Sequence, residues 1–306
     1  MKVYKVSDKQ AEQMIQNVMD NCMLIWIRKS AWGNRRKLSD ELLKEKFGED
    51  SDRIRAVKDM IDPEPVKKIT YWQGKAVSFI EKISMPYFKD GSHYIHNSRV
   101  EQADDFLREC AEKVDKAAAE LAEIYNDKVA ESCQKHPELY SWDDFPTKDY
   151  VWKAFRLEWS WQRIVPPMGA NGKVSVLSKK VIDEENRKFR QRMLEDGQKH
   201  IDACRAAFKQ VITHLRDCLV DPTKTFHDST VEKPKEFLKN FASLNMWGDK
   251  PFEQLSKDAL DILERVYAED LRDDKEYREE MGKVIDDVVT CFESMEVVEL
   301  DRALDI

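Results

Sequence analysis

Two runs of apolar residues at heptad-like spacing constrain this chain more than any other feature. Val100, Ala103, Leu107, Cys110, Val114, Ala117, Leu121 and Ile124 step by three and four without a break. Ile182, Asn186, Phe189, Met193, Gly197, His200, Cys204, Ala207, Val211, Leu215 and Cys218 nearly repeat the pattern, with a few polar members. Such spacing lays a stripe along one side of a helix, and that stripe must be buried against something. At about 1.5 Å per residue, each helix would extend roughly 55–60 Å. Between the two, Phe155 to Ile164 alternates with period two, the mark of a strand. The expected fold is mainly α: a long antiparallel, coiled-coil-like helical arm with its two seams closed on each other. A small β-hairpin sits at its tip, and a helical C-terminal region follows.

Punctuation sets the expected regions. Residues 1–96 read as a mixed helical and β region, 97–220 as the helical hairpin with its β-tip at about 150–177, and 221–306 as an acidic helical region. In the first region, 8–20 is amphipathic, 22–27 is a strand-like apolar run, and Ser39 is placed to cap a helix. A helix is expected from about 66 to 82. Met85 to Ile95, with Pro86 and the Asp90-Gly91 turn signal, reads as a hairpin or ordered loop. Lys173 to Leu177 is the second strand of the tip. After Asp221-Pro222 come a polar loop to 233, short helices over 234–246, and helices over 252–270 and 274–296.

Charged residues make up 36% of the 306, with only 9 glycines, which suits a helix-rich protein with few tight turns. The longest apolar run, Cys22 to Ile27, falls far short of the ~18–20 residues that span a bilayer. Polar Ser7 to Gln10 follows Lys2 and Lys5 where a signal peptide would be apolar, so the expected location is cytoplasmic. Six cysteines without a Cys-x-x-Cys pair read as free thiols. The net charge of −8 is uneven: residues 251–306 carry −11 and residues 1–250 carry +3. That acidic region disfavours nucleic acid and suits a basic partner surface.

Reactive constellations are weak. His200/Cys204 and His214/Cys218 have the spacing of two metal ligands, but the pairs lie roughly 15 Å apart along a helix and cannot close one tetrahedral site. They share their stripe with Phe189 and Met193, which marks it as a packed face. His93 and His96 lack a third ligand at a recognised spacing. Neither a nucleophile elbow nor a phosphate-binding glycine loop is present. The expectation is therefore a non-enzyme with no catalytic, cofactor or metal residues. Trp152, Phe155, Trp159 and Trp161 are the candidate partner-binding residues, since Trp and Tyr anchor interfaces. Arg28, Lys29, Arg35, Arg36 and Lys37, interleaved with Trp26 and Trp32, form a weaker candidate for nucleic acid.

These residues resemble a bacterial and phage family, the domain-of-unknown-function family 3150. Ile25 to Ile27 leads into Trp32-Gly-Asn-Arg-Arg-Lys-Leu38, then Met60-Ile-Asp-Pro63, Pro86-Tyr-Phe-Lys-Asp-Gly91, a long helix ending near Tyr125, Phe145-Pro146, and an aromatic strand from Phe155 to Pro166. The resemblance runs in order over roughly 20–220. It implies a helical accessory protein that works with MoxR-type AAA+ ATPases and von Willebrand A domain proteins, and it carries over no catalytic residue. The acidic region 250–306 has no counterpart in it. The leading reading is a non-enzymatic scaffold or adaptor, homo-oligomeric if the stripe is too wide for one mate. Two alternatives stand beside it. One is a membrane-active, toxin-like protein with an inserting β-tip, which the charges of Glu158, Arg163 and Lys173 disfavour. The other is a phage or defence protein associated with nucleic acid.

Overall fold

The structure, a computed structural model, describes residues 3–48, 53–88, 91–166, 178–221, 227–295 and 297–300. It is mainly helical, with a small sheet. In chain order the described elements begin with β1 (Val3–Val6), α1 (Asp8–Asn21), β2 (Cys22–Ser30), β3 (Arg35–Lys37), α2 (Asp40–Phe47), β4 (Val57–Asp59) and α3 (Pro63–Ile83). β5 (Ser84–Tyr87), β6 (Ser92–His96), α4 (Asn97–Lys135), α5 (Lys148–Ala154), β7 (Arg156–Arg163) and α6 (Lys179–Val220) follow. The chain closes with α7 (Asp228–Leu244), α8 (Lys250–Leu263), α9 (Ala268–Asp273), α10 (Lys275–Ser294) and β8 (Val297–Leu300).

Contacts separate two units: residues 1–25, 83–100 and 161–306 form the first, and 26–82 with 101–160 form the second. β2, α4 and β7 each begin in one unit and end in the other. β5, β6, β2 and β7 form one sheet in that order, and β5 pairs antiparallel with β6. β3 pairs antiparallel with β4, and β1 pairs parallel with β8, tying the two ends of the described chain together.

Both long helices are continuous, as their periodicity demands, and each has buried neighbours within its own unit. In the second unit α4 lies antiparallel to α3. Lys128 meets Asp62 at 3.3 Å, Lys68 meets Glu120 at 2.5 Å, and the Phe106 and Phe79 rings lie 4.2 Å apart, so position rises along one helix as it falls along the other. Val114, Ala117, Leu121, Tyr125 and Val129 of α4 bury against Ile69, Trp32, Met60, Ile61, Val151 and Phe155. Each fully buried aliphatic side chain contributes about 1.5–3 kcal/mol. In the first unit the α6 stripe is covered by α1, α7, α8 and α10, with Phe208 ringed by Phe252 and Phe292 at 5.1 Å each. Val114 to Val129 of α4 and the α6 stripe each have cover within their own unit, and the expected seam of one stripe on the other is not confirmed. The period identifies a buried face but does not say what covers it.

The β-tip is described only in part. Arg156–Arg163 is a strand beside β2 in the sheet; its expected hairpin mate, 173–177, lies outside the described residues. The region 228–244 forms a single helix, α7, across Pro234. Pro234 removes one backbone donor, but its ring is buried in the core, which offsets the loss. The expected helix over 252–270 divides into α8 and α9. Local chemistry sets most helix starts. Ser7 and Gln10 form a capping box at α1, Ser39 caps α2 and Asp249 caps α8.

Candidate interaction surface

In the second unit the α4 core supports a short surface segment, residues 139–155. Tyr125 Oη donates to the Pro146 carbonyl at 3.0 Å, and Tyr140 Oη donates to the Asp59 carbonyl at 2.6 Å. Lys58 Nζ donates to the Leu139 carbonyl, pairs with Asp144 at 3.4 Å and sits 4.6 Å from the centre of the Tyr140 ring. Burial pushes the Tyr125 phenol up to about 12, so it stays a neutral donor at ordinary pH. Ser141 and Thr147 then cap the single turn Trp142–Asp144 and helix α5.

On α5, Val151 faces the core and Phe155 just beyond it is 2% exposed. Tyr150 and Trp152, one residue to either side of Val151, are turned about 100° away from it on opposite flanks. They are 61% and 46% exposed, and Trp142 is 55% exposed. Large aromatic side chains gain most from burial, so three exposed on one firmly anchored segment form the site.

The sequence-derived candidates separate. Trp152 is at the surface, whereas Phe155 belongs to the core. Trp159 is half-buried, and its indole Nε1 donates to Asp104 at 2.8 Å. Trp161 is half-buried and belongs to the first unit. Trp142 and Tyr150 stood in the aromatic-rich section but outside the candidate set; their acidic neighbours Asp143 and Asp149 were the available sign of exposure. Arg28 and Lys29 lie on β2 and Arg35, Arg36 and Lys37 on β3, all exposed, with Arg35 paired to Asp59 at 3.1 Å. Trp32 is only 6% exposed, edge-on to Tyr125, so it is not available to stack on a base.

Of the histidines and cysteines on the α6 stripe, His200, Cys204 and Cys218 are buried, whereas His214 is exposed. His200 Nε2 bonds the Pro86 carbonyl at 2.8 Å, and Trp247 Nε1 donates to His200 Nδ1 at 3.0 Å. Burial pushes the Cys204 thiol up to about 12. His214 Nε2 lies 3.8 Å from Cys218 Sγ. His93 Nδ1 bonds Ser84 Oγ, and His96 Nδ1 accepts from the Ser98 amide. The cavity beside His200 and Cys204 measures ≈ 10 Å³, room for about one water. Among the described residues no group of three or more His, Cys, Asp and Glu is placed to hold a metal, and no helix is long and apolar enough to cross a membrane.

A family model described as "Protein of unknown function (DUF3150)" matches residues 19–212. This chain belongs to the DUF3150 family. The DUF3150 span holds all of the second unit and ends inside α6, leaving α7 to α10 beyond it. Most of the family-like motifs meet in one place. Trp32, Met60, Ile61, Tyr125 and Phe155 share the α4 core, and Phe145 packs on it. Asn34 fastens that corner, exchanging two 3.0 Å hydrogen bonds with the Ile61 backbone. In this DUF3150 chain, those motifs build the platform under the exposed aromatics. No curated protein and no solved structure matches the chain.

Proposed function

We propose that this DUF3150 protein is a non-enzymatic scaffold or adaptor that docks a protein partner on the Trp142–Trp152 segment. The observation that carries the reading is the exposure of Trp142, Tyr150 and Trp152 on a segment pinned by Tyr125, Tyr140 and Lys58. Rigid aromatic anchors lose little side-chain freedom on binding and carry much of the energy of interfaces. The family resemblance supplies the partner class, a MoxR-type AAA+ ATPase or a von Willebrand A domain protein. Co-expression with each, followed by affinity capture, tests this. Replacing Trp142 and Trp152 together by Ala abolishes capture while circular dichroism stays unchanged. Undiminished capture by the folded double variant overturns the docking site.

A second reading rests on the five exposed cations of β2 and β3, which suit a phosphate-rich ligand. A salt-sensitive gel shift, lost on replacing Arg35, Arg36 and Lys37 by Ala, would favour it over the adaptor. A flat titration at low salt removes it.

A further inference from the structure

Helix α6 grips the backbone of β5 through a buried polar row. Met193, Asp196, His200 and Cys204 follow one another by a turn of α6, and all four are buried. Asp196 accepts from the Phe88 amide at 2.9 Å and from Tyr94 Oη at 3.4 Å, and Lys199 approaches it at 3.7 Å. Phe88 has φ of 44°, a left-handed conformation costly for a bulky side chain, so the carboxylate holds a strained residue in place.

His200 completes the grip and fixes its own proton. Trp247 Nε1 is only a donor, so Nδ1 of His200 must be the acceptor. The Pro86 carbonyl is only an acceptor, so Nε2 carries the hydrogen. The neutral Nε2–H tautomer satisfies both partners, and the imidazolium would point an Nδ1–H at the indole N–H.

We propose that His200 is a proton-operated latch on Trp247: its neutral form accepts the indole N–H, and protonation keeps Nε2–H on the Pro86 carbonyl but turns Nδ1 into a donor that releases Trp247 and the Asn245–Asp249 turn. The charges around it divide. On α6, Asp196 favours the charged ring and Lys199 opposes it, while Cys204 stays a neutral thiol. From β6, Tyr94 is a neutral phenol 5.2 Å away, ring to ring. Asp249, ahead of α8, has its charge taken by Arg205 at 2.6 Å. Burial outweighs the Pro86 carbonyl and Asp196, which both favour the charged ring, and the ring is held below its ordinary 6.5. The latch is closed at neutral pH and opens on acidification.

Hydrogen exchange of the whole chain at about pH 7.5 and about pH 5.5, corrected for intrinsic rates, tests the latch. Opening of Asn245–Asp249 should rise about tenfold, following the proton taken up one unit below the ordinary value. His200→Gln, which does not titrate, should show equal protection at both values. Trp247→Phe removes the facing donor and should shrink the acid effect, so it serves if the first variant fails to fold. Equal opening of the wild type at both values, or a full acid response in either folded variant, overturns the proposal.

Discussion

The two long helices look alike in sequence and bury different chemistry. The buried side of α4 is Ala, Leu, Val, Cys and one Tyr, from Ala103 to Val129. The buried side of α6 also holds Asp196, Gln198, His200 and Arg205, each with a hydrogen-bonding partner. A greasy stripe accepts any surface of matching shape. A stripe with buried polar groups accepts only a cover that answers each of them, because an unanswered group costs its full desolvation. Here Trp247, Asp249, Pro86 and Phe88 answer His200, Arg205 and Asp196, while Gln198 bonds Asp202 on α6 itself. The polar members of the α6 pattern were therefore informative about its cover, while the cleaner α4 pattern was not.

The largest effect that would test this contrast is at the buried ion pair. Asp249→Ala leaves Arg205 uncompensated and removes the α8 cap, and should cost about 3–5 kcal/mol in urea denaturation. Replacing Arg205 and Asp249 together by Met and Leu should recover much of that loss; no recovery would mean the pair is not what the polar stripe demands. On the apolar side, Leu121→Ala should cost about 2–5 kcal/mol, with a scatter set by how far α3 and Ile61 settle into the gap. Arg278 donates to the Cys218, Leu219 and Asp221 carbonyls that close α6, and Arg278→Ala should cost about 1.5–3 kcal/mol. Tyr125→Phe, which loses only the bond to Pro146, should cost about 1 kcal/mol. Acid should separate the helices too. His200 is held below 6.5 when folded, so its contribution is complete above 6.5 and is lost as pH falls from there to the folded value. A pH series of melts shows that slope for the wild type and loses it in His200→Gln.

Much of the helical content was legible because caps and period agree. Ser39, the α4 stripe and the α6 stripe each announce an element that the structure contains. The mates were not legible, since period 3.5 carries no address. β1, β3 and β8 escaped notice because three or four residues give no period to count, and β3 is exposed on both faces. At the candidate surface the density of aromatics between 140 and 161 was visible. Its division into core, half-buried and exposed members was not. Phe155 and Trp152 differ by which side of one helical turn they leave, and that depends on Val151 finding the α4 core.

Zero-length carbodiimide cross-linking read by mass spectrometry tests the separate covers most directly. It should join Lys68 to Glu120 and Lys128 to Asp62, the ion pairs that set α3 antiparallel to α4. Absence of both products, together with links from Lys113 and Lys116 to carboxylates of α6, would return the two stripes to a single seam and contradict the account.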